Sequence, residues 1–454
     1  MYAAVGLVRH WHFGSNAYDL GLFDQMVWHL GRFEAPASTI HGLSNMFGDH
    51  FSPIHVLFVP LSWLWPSAGS LIVTQAIAFG ASIVPVWIFL ERRLPPRPAM
   101  LMTLAYGCFW GLQRAAQFDV HEFAFAPLLI AVMLLGIDTP ERPWPLFLTG
   151  AIGLCLTKED QIPLVVAASL LLAMRGGAAV RRHALMAAGL ALVAFFAVVR
   201  VVIPALNDRH AWAVGSAFGD VLAHPFSLFG RLVSPPTKLQ TLLMWLLPFA
   251  FLPLVSSYGL LIIPLALERF LSSSPTHWGT SFHYTAPLAP ILAMAAGDAL
   301  GRLRARLRPS GGYVGPSSSS ALTPIAAACL VLCAILPGRQ PMWRVFSPAF
   351  YQAPVFAETA QRALSLIPAD ASVVAQSAIA PHLTRRQTIY MLRTEGLGAN
   401  ADADFVIAAA ADLPSWPMTS ADEVRRQLAM YVRRGYTTVF EEQGWVVLAR
   451  GATR

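Results

Sequence analysis

The sequence predicts an α-helical polytopic membrane protein with a small α/β domain at the C-terminus, and three observations predict its membrane part. Of 454 residues 56% are hydrophobic and 13% charged, with a mean hydropathy of +0.53; a soluble globular chain is about 25% charged. Apolar stretches recur from Leu71 to Leu336, too many for one buried core, and short groups of Arg, Asp, Glu, His or Pro interrupt them. None of these stretches alternates with period two, which excludes a transmembrane β-barrel.

Met1 to Val8 is too short for the apolar core of a signal peptide and reads as the stub of a first helix. Spans follow at Leu71 to Leu90, Met100 to Phe109, Phe123 to Leu135, Trp144 to Thr157, Gln161 to Met174 and Ala184 to Ala205. Others run Leu242 to Val255, Gly259 to Leu271, Tyr284 to Leu300 and Leu322 to Leu336. Trp144 to Met174 could be one long helix, but Lys158, Glu159 and Asp160 would then sit at mid-bilayer, at about 2.5 to 3.5 kcal/mol each. Two spans meeting at those charges are expected instead. Parity then puts three clusters on one face: Arg92, Arg93 and Arg97; Arg175, Arg181 and Arg182; and Arg302, Arg304, Arg306 and Arg308. By the positive-inside rule that face is cytoplasmic.

The net charge of +7 comes from basic residues placed between apolar spans, so no nucleic-acid partner is expected. Cys108, Cys155, Cys329 and Cys333 lie inside apolar segments without metal or redox spacing and read as packing residues. Asn207 to Gln240 carries apolar residues at near-helical spacing and is expected to lie in the membrane interface. Pro309 to Ser320 reads as a flexible linker. From about Gln340 the composition becomes that of a soluble domain, so the chain divides into a membrane domain, 1–338, and an extracytoplasmic α/β domain, 339–454. Strands are expected at Ser372 to Ala375, Gln387 to Leu392 and Asp404 to Ala410, a helix at Ala421 to Val432, and a hairpin from Tyr436 to Ala449.

The same parity puts every acidic or histidine-bearing cluster at a span border on the outer side, where one polar site could collect them. Asp19 and Asp24 flank the start of an amphipathic stretch, where a carboxylate can take a proton or hold a cation, or simply cap a helix. Asp49, His50 and His55 follow a glycine and surround Pro53, which also suits a turn. Asp119, His121 and Glu122 place three titratable groups in four residues, a composition suited to Mg²⁺, Mn²⁺ or a proton relay. Lys158 stands beside Glu159 and Asp160, and its ammonium can bind a phosphate or neutralise an acidic neighbour. His277 and His283 flank a later outer loop with Trp278 and Tyr284, where interfacial anchoring is the plain alternative.

Tyr18 to Gln25, Gly48 to Pro53, Phe118 to Glu122 and Lys158 to Asp160, in that order, resemble the hallmarks of an uncharacterised prokaryotic membrane-protein family, a domain of unknown function. That family is grouped with the C-type (GT-C) glycosyltransferases. Its members have a full first span before the first motif, where this chain has only Met1 to Val8, which reads as a late start or a truncation. The resemblance implies a GT-C-like bundle in the cytoplasmic membrane and transfer of a sugar from a polyprenyl-phosphate carrier to an envelope acceptor on the outer face. It implies Asp24 as general base, with Asp49, Asp119 and Glu122 as further catalytic groups. His50, His121, Lys158, Glu159 and His283 would bind substrate or carrier, and Asp119, His121 and Glu122 would hold Mg or Mn if a metal is used. The C-terminal domain is expected to assist binding without reacting groups, its Pro381-His382 and Arg385-Arg386 pairs structuring a loop. A transporter or lipid flippase would place charges midway along broken helices, and no long internal repeat supports one. A non-catalytic envelope scaffold is the third reading.

Overall fold

The computed structural model describes residues 1–139, 142–208, 228–307, 317–394, 402–411, 413 and 416–451. Most of that chain is helical. Helices Gly69–Glu91, Pro96–Cys108, Ala126–Ile137, Trp144–Cys155, Ile162–Arg175 and Ala178–Leu206 lie on the expected spans, as do Ile262–Leu271, Leu288–Arg306 and Ser317–Ile335. Among the described residues two helices are long and apolar enough to cross a membrane by length and composition, Gly69–Glu91 and Ala178–Leu206. From Ala184 to Val199 the second is apolar on all sides, yet Leu190 is 68% and Val193 66% exposed. A helix apolar all round needs protein or lipid on every side, and protein covers little of this one.

Two expectations need correction. Leu242 to Val255 is not one helix. Pro236–Leu246 gives way to 3₁₀ turns at Leu247–Phe249 and Leu252–Val255, with Ala250 and Phe251 left-handed at φ 49° and 58°. Pro248 and Pro253 have no N–H for an i→i−4 bond, so the ladder fails at both. Nor are acids at span borders confined to one end of the bundle. Asp138 and Asp298 sit among the arginines expected on the cytoplasmic side, both paired with Arg93, and Asp298 also meets Arg302 at 3.0 Å. The expected interfacial helix over Asn207 to Gln240 and the linker from Pro309 fall partly on residues 209–227 and 308–316, outside the described residues.

Trp144–Cys155 and Ile162–Arg175 are separate helices that meet at Lys158, so its charge sits at a helix junction. The neighbouring hairpin is close-packed through glycine. A Cβ at Gly150 would come within 2.6 Å of Met133 Cβ, an approach that small residues permit between helices.

Five strands form one sheet: β1 Val373–Ala375, β2 Ile389–Met391, β3 Phe405–Ala409, β4 Tyr436–Glu442 and β5 Trp445–Arg450. Their order is β2-β1-β3-β5-β4, with β1 parallel to β2 and β3, and β5 antiparallel to β3 and β4. Period-two alternation gives the sheet two apolar faces. Val374, Val406 and Leu448 pack on Val424, Leu428 and Tyr431 of helix Ala421–Arg433. Val373, Ile407, Trp445 and Val447 belong to a core shared with Phe13, Ala17, Leu20 and Phe23. The sheet is thereby fastened to the first thirty or so residues of the chain, the segment that carries Asp19 and Asp24.

Candidate functional site

A cavity of about 640 Å³ collects polar groups from several separate stretches of chain against an apolar lining. Asp19, Asp49, His50, His121, Glu122, Lys158, Glu159, Asp160 and His283 line it, as do Glu268 and Tyr284. Phe23, Met26, Phe195, Leu267 and Leu271 supply the apolar part.

Lys158 reaches the cavity because the chain is extended there, at φ −168°, between two helices. Its Nζ lies 3.6 Å from Glu122 Oε1 and 3.7 Å from Asp160 Oδ2, and 5.0 Å above the Phe123 ring. Burial opposes the ammonium, but Glu122, Asp160 and Glu159 outweigh it and hold Lys158 above the ordinary lysine range. In return Glu122, although buried, is held down to about 2, chiefly by Lys158 and then by His50. Asp160 is lifted by burial to about 6, with Lys158 pulling the other way.

Glu159 turns aside to His50. Its Oε1 lies 2.6 Å from His50 Nδ1, and its Oε2 accepts the Phe51 amide at 2.9 Å. The loop carrying Asp49 and His50 passes so close to residues 206 and 207 that a Cβ on Gly48 would lie 2.5 Å from the Leu206 carbonyl carbon. Asn207 Nδ2 donates to the Gly48 carbonyl at 2.8 Å. Glycine is required there by close backbone approach, not by turn geometry. Asp49 stays half-open, 3.5 Å from His41 Nε2.

Burial and the Lys158 charge oppose protonation of His50, but Glu159 and Glu122 outweigh them and raise it from 6.5 to about 9. A raised folded pKa means stability that is fully present below about 6.5 and lost as pH rises through about 9. The melting temperature should therefore fall between pH 7 and pH 10, and His50→Gln should flatten that fall. A wild-type curve that His50→Gln leaves unaltered would show that the pair contributes nothing.

His121 stacks on His283 with ring centroids 3.3 Å apart, and its Nε2 donates to the Phe118 carbonyl at 3.0 Å. Burial lowers it to about 4, so the ring is neutral near pH 7. Its Nδ1 faces Asp19 Oδ1 at 3.8 Å. Burial first, and then the charges of Asp119 and Glu122, push Asp19 up to about 8. A carboxylate with a pKa near the working pH is suited to proton transfer.

The expectation that Asp24 and Asp119 share this cavity is corrected. Asp24 is fully buried, with Oδ1 accepting from Arg385 at 2.9 Å and Oδ2 from Thr384 at 2.6 Å. Asp19 lies in the π-helical turn Ala17–Gly21 and Asp24 in the α-helix Leu22–Leu30 that follows it, and the two carboxylates point to different sides. Asp119 is consumed by structure. Its carboxylate takes Arg9 and the Asn16 amide, its carbonyl takes Gln75 Nε2 at 2.8 Å, and its φ of +79° is one that Asp tolerates. Asp119, His121 and Glu122 thus turn to three different partners. Among the described residues no three His, Cys, Asp or Glu groups are placed to hold a metal ion. This donor set does not fit Mg²⁺ or Mn²⁺, which need several converging oxygens.

The sequence motifs name Asp19 beside Asp24 but give the reacting role to Asp24, and they do not include Glu268. Glu268 carries a signal that was available: with Asp298 it is one of two acids inside the expected spans, and an intramembrane acid marks function by default.

A family model described as a predicted membrane protein, DUF2079, matches residues 9–447. No curated protein matches. Among solved structures, the crystal structure of ArnT from Cupriavidus metallidurans bound to undecaprenyl phosphate is similar at 13% identity and a TM-score of 0.49, over 100% of this chain and 98% of that one. The same protein in the apo state gives 12% and 0.47, over 99% and 97%.

Proposed function

Because the chain belongs to the DUF2079 family of predicted membrane proteins, we propose that it is a multi-pass protein of the prokaryotic cytoplasmic membrane that transfers a sugar from a polyprenyl-phosphate carrier to an envelope acceptor. The exposed apolar helix Ala178–Leu206 and the motifs in Tyr18 to Asp160 support this reading. The observation that carries it is the single cavity holding Asp19, Glu122 and Lys158 against Phe195, Leu267 and Leu271. Such a lining suits a donor that is both a lipid and a phosphate.

In the proposed reaction an acceptor hydroxyl attacks the anomeric carbon, its proton passes to the Asp19 carboxylate, and the bond from that carbon to the carrier phosphate breaks. The phosphate leaves with the bonding pair, and Lys158 balances its charge. Glu122 and Asp160 hold Lys158 in place. Neutral His121, packed on His283 and bonded through Nε2 to the Phe118 carbonyl, does not compete with Asp19 for the proton. No metal enters any step.

The reading predicts that a deletion strain accumulates a polyprenyl-phosphate sugar and loses one envelope glycan, both restored by the wild-type chain and detected by mass spectrometry. Unchanged envelope lipids and glycans would overturn it, and a mislocated but chemically unchanged lipid would favour a flippase. The proposed orientation has its own check. A single cysteine in place of Val439, 49% exposed on β4, should react in intact cells with an impermeant thiol reagent. Reaction only in inside-out vesicles would reverse the topology.

A further inference from the structure

We infer that Asp24 and Arg385 form a latch through which the C-terminal α/β unit holds the Ala17–Gly21 turn, and with it Asp19, against the cavity. Both are positioning residues. The part of this inference that concerns turnover rests on the proposed glycosyl transfer, and the part that concerns geometry does not.

The segment from Ala17 to Gln25 has two sides. One lines the cavity with Asp19, Leu22 and Phe23. The other is bonded to the loop between β1 and β2, some 360 residues later in the chain. The Ala17 amide donates to Ser377 Oγ at 3.3 Å, and Gln25 Nε2 donates to the Arg386 carbonyl at 3.1 Å. Between these, Thr384 and Arg385 take one Asp24 oxygen each, at 2.6 and 2.9 Å. Arg385 also donates to the carbonyls of Ser62 at 3.3 Å and Ser67 at 3.0 Å. The guanidinium thus clamps three stretches of chain together, which its fixed fork of donors permits.

This bonding excludes Asp24 from proton transfer in the cavity, since a base must come within hydrogen-bond reach of the proton it takes. Asp24 lies outside the cavity lining, with both oxygens already engaged. It instead borders a second, smaller cavity of about 290 Å³ together with Arg385, His10 and His382. Side chains at the latch have room to relax there, so neutral replacements should fold.

The test uses the full-length protein in a cysteine-free background with Asp19→Cys, labelled by a water-soluble maleimide. Arg385→Gln and Asp24→Asn should each change the labelling rate by about tenfold, within the range of coupling between close charged groups, and the double variant should change it no further. Equal labelling in all backgrounds, or additive effects, would overturn the latch. With Asp19 restored, both single variants should lower kcat by a similar factor with little change in KM for the polyprenyl-phosphate sugar, and Arg385→Lys should recover part of it. If the wild type shows no transfer, the labelling result still decides the latch while the proposed function falls. Should Arg385→Gln fail to fold, Thr384→Val with Asp24→Asn carries the same comparison, and independent effects there would also overturn it.

Discussion

Replacing Asp19 by Asn is expected to lower turnover by about 10²- to 10⁴-fold, the usual worth of a general base, without lowering the melting temperature. The side chain is 25% exposed to the cavity, and His121 lies at 3.8 Å, beyond hydrogen-bond reach, so the exchange breaks no strong bond. The stability effect has a definite sign. Burial, then Asp119 and Glu122, raise the folded pKa from 3.8 to about 8. Stability associated with the protonated form is therefore full below about pH 4 and lost as pH rises through about 8. Asn carries no charge to desolvate, so the variant should equal or exceed the wild type in melting temperature at pH 8. Activity runs the other way. The base form of Asp19 grows with pH, so wild-type kcat/KM should rise towards a plateau above about pH 8, and the variant should lose that limb. An Asn variant with wild-type turnover, or with the wild-type pH profile at reduced amplitude, would remove Asp19 from the reaction. A stable but inactive protein is the pattern of a site that trades stability for function.

The difference between Asp19 and Asp24 shows where sequence reading stops. The helices were legible because apolar runs of span length leave few alternatives, and β4 and β5 were legible because β-branched and aromatic residues stand on both sides of a Gly-containing turn between Tyr436 and Arg450. The clustering of Asp49 to His50, His121 to Glu122 and Lys158 to Asp160 is what the expected parity implies, since it puts all three stretches on one expected side. Which carboxylate of a pair faces the site was not legible, because the answer depends on Thr384 and Arg385, far away in sequence. The same holds for Asp119, whose partner Arg9 precedes it by 110 residues. Lys158 was weighed against its neighbours Glu159 and Asp160, yet its nearest carboxylate is Glu122, while Glu159 serves His50. Local charge patterns name the groups that a fold brings to a border. Long-range partners decide which remain open to a ligand.

Lys158→Met should be the most damaging single change at the site, and the reason for the damage can be separated into two parts. The ammonium is 11% exposed and its partners Glu122 and Asp160 are 8% and 16% exposed. Removing one member of a buried ion pair strands the other, at about 3–5 kcal/mol, so the melting temperature should fall sharply. That loss concerns the unpaired carboxylates, not the carrier. The double variant Lys158→Met with Glu122→Gln removes the nearer stranded charge and should recover much of the stability, because replacing both partners avoids the desolvation penalty that removing one incurs. It should not recover affinity for a polyprenyl phosphate, measured by direct binding to the purified protein, since the Lys158 ammonium is then gone and the His50 charge is held by Glu159. Lys158→Arg keeps the charge on a wider, planar head and should hold stability better than affinity, as a point ammonium and a fork are not interchangeable in a tight site. A double variant that is stable and binds the polyprenyl phosphate like the wild type would show that Lys158 only neutralises Glu122. A stable double variant with lost binding would leave the phosphate as the charge that Lys158 is there to meet.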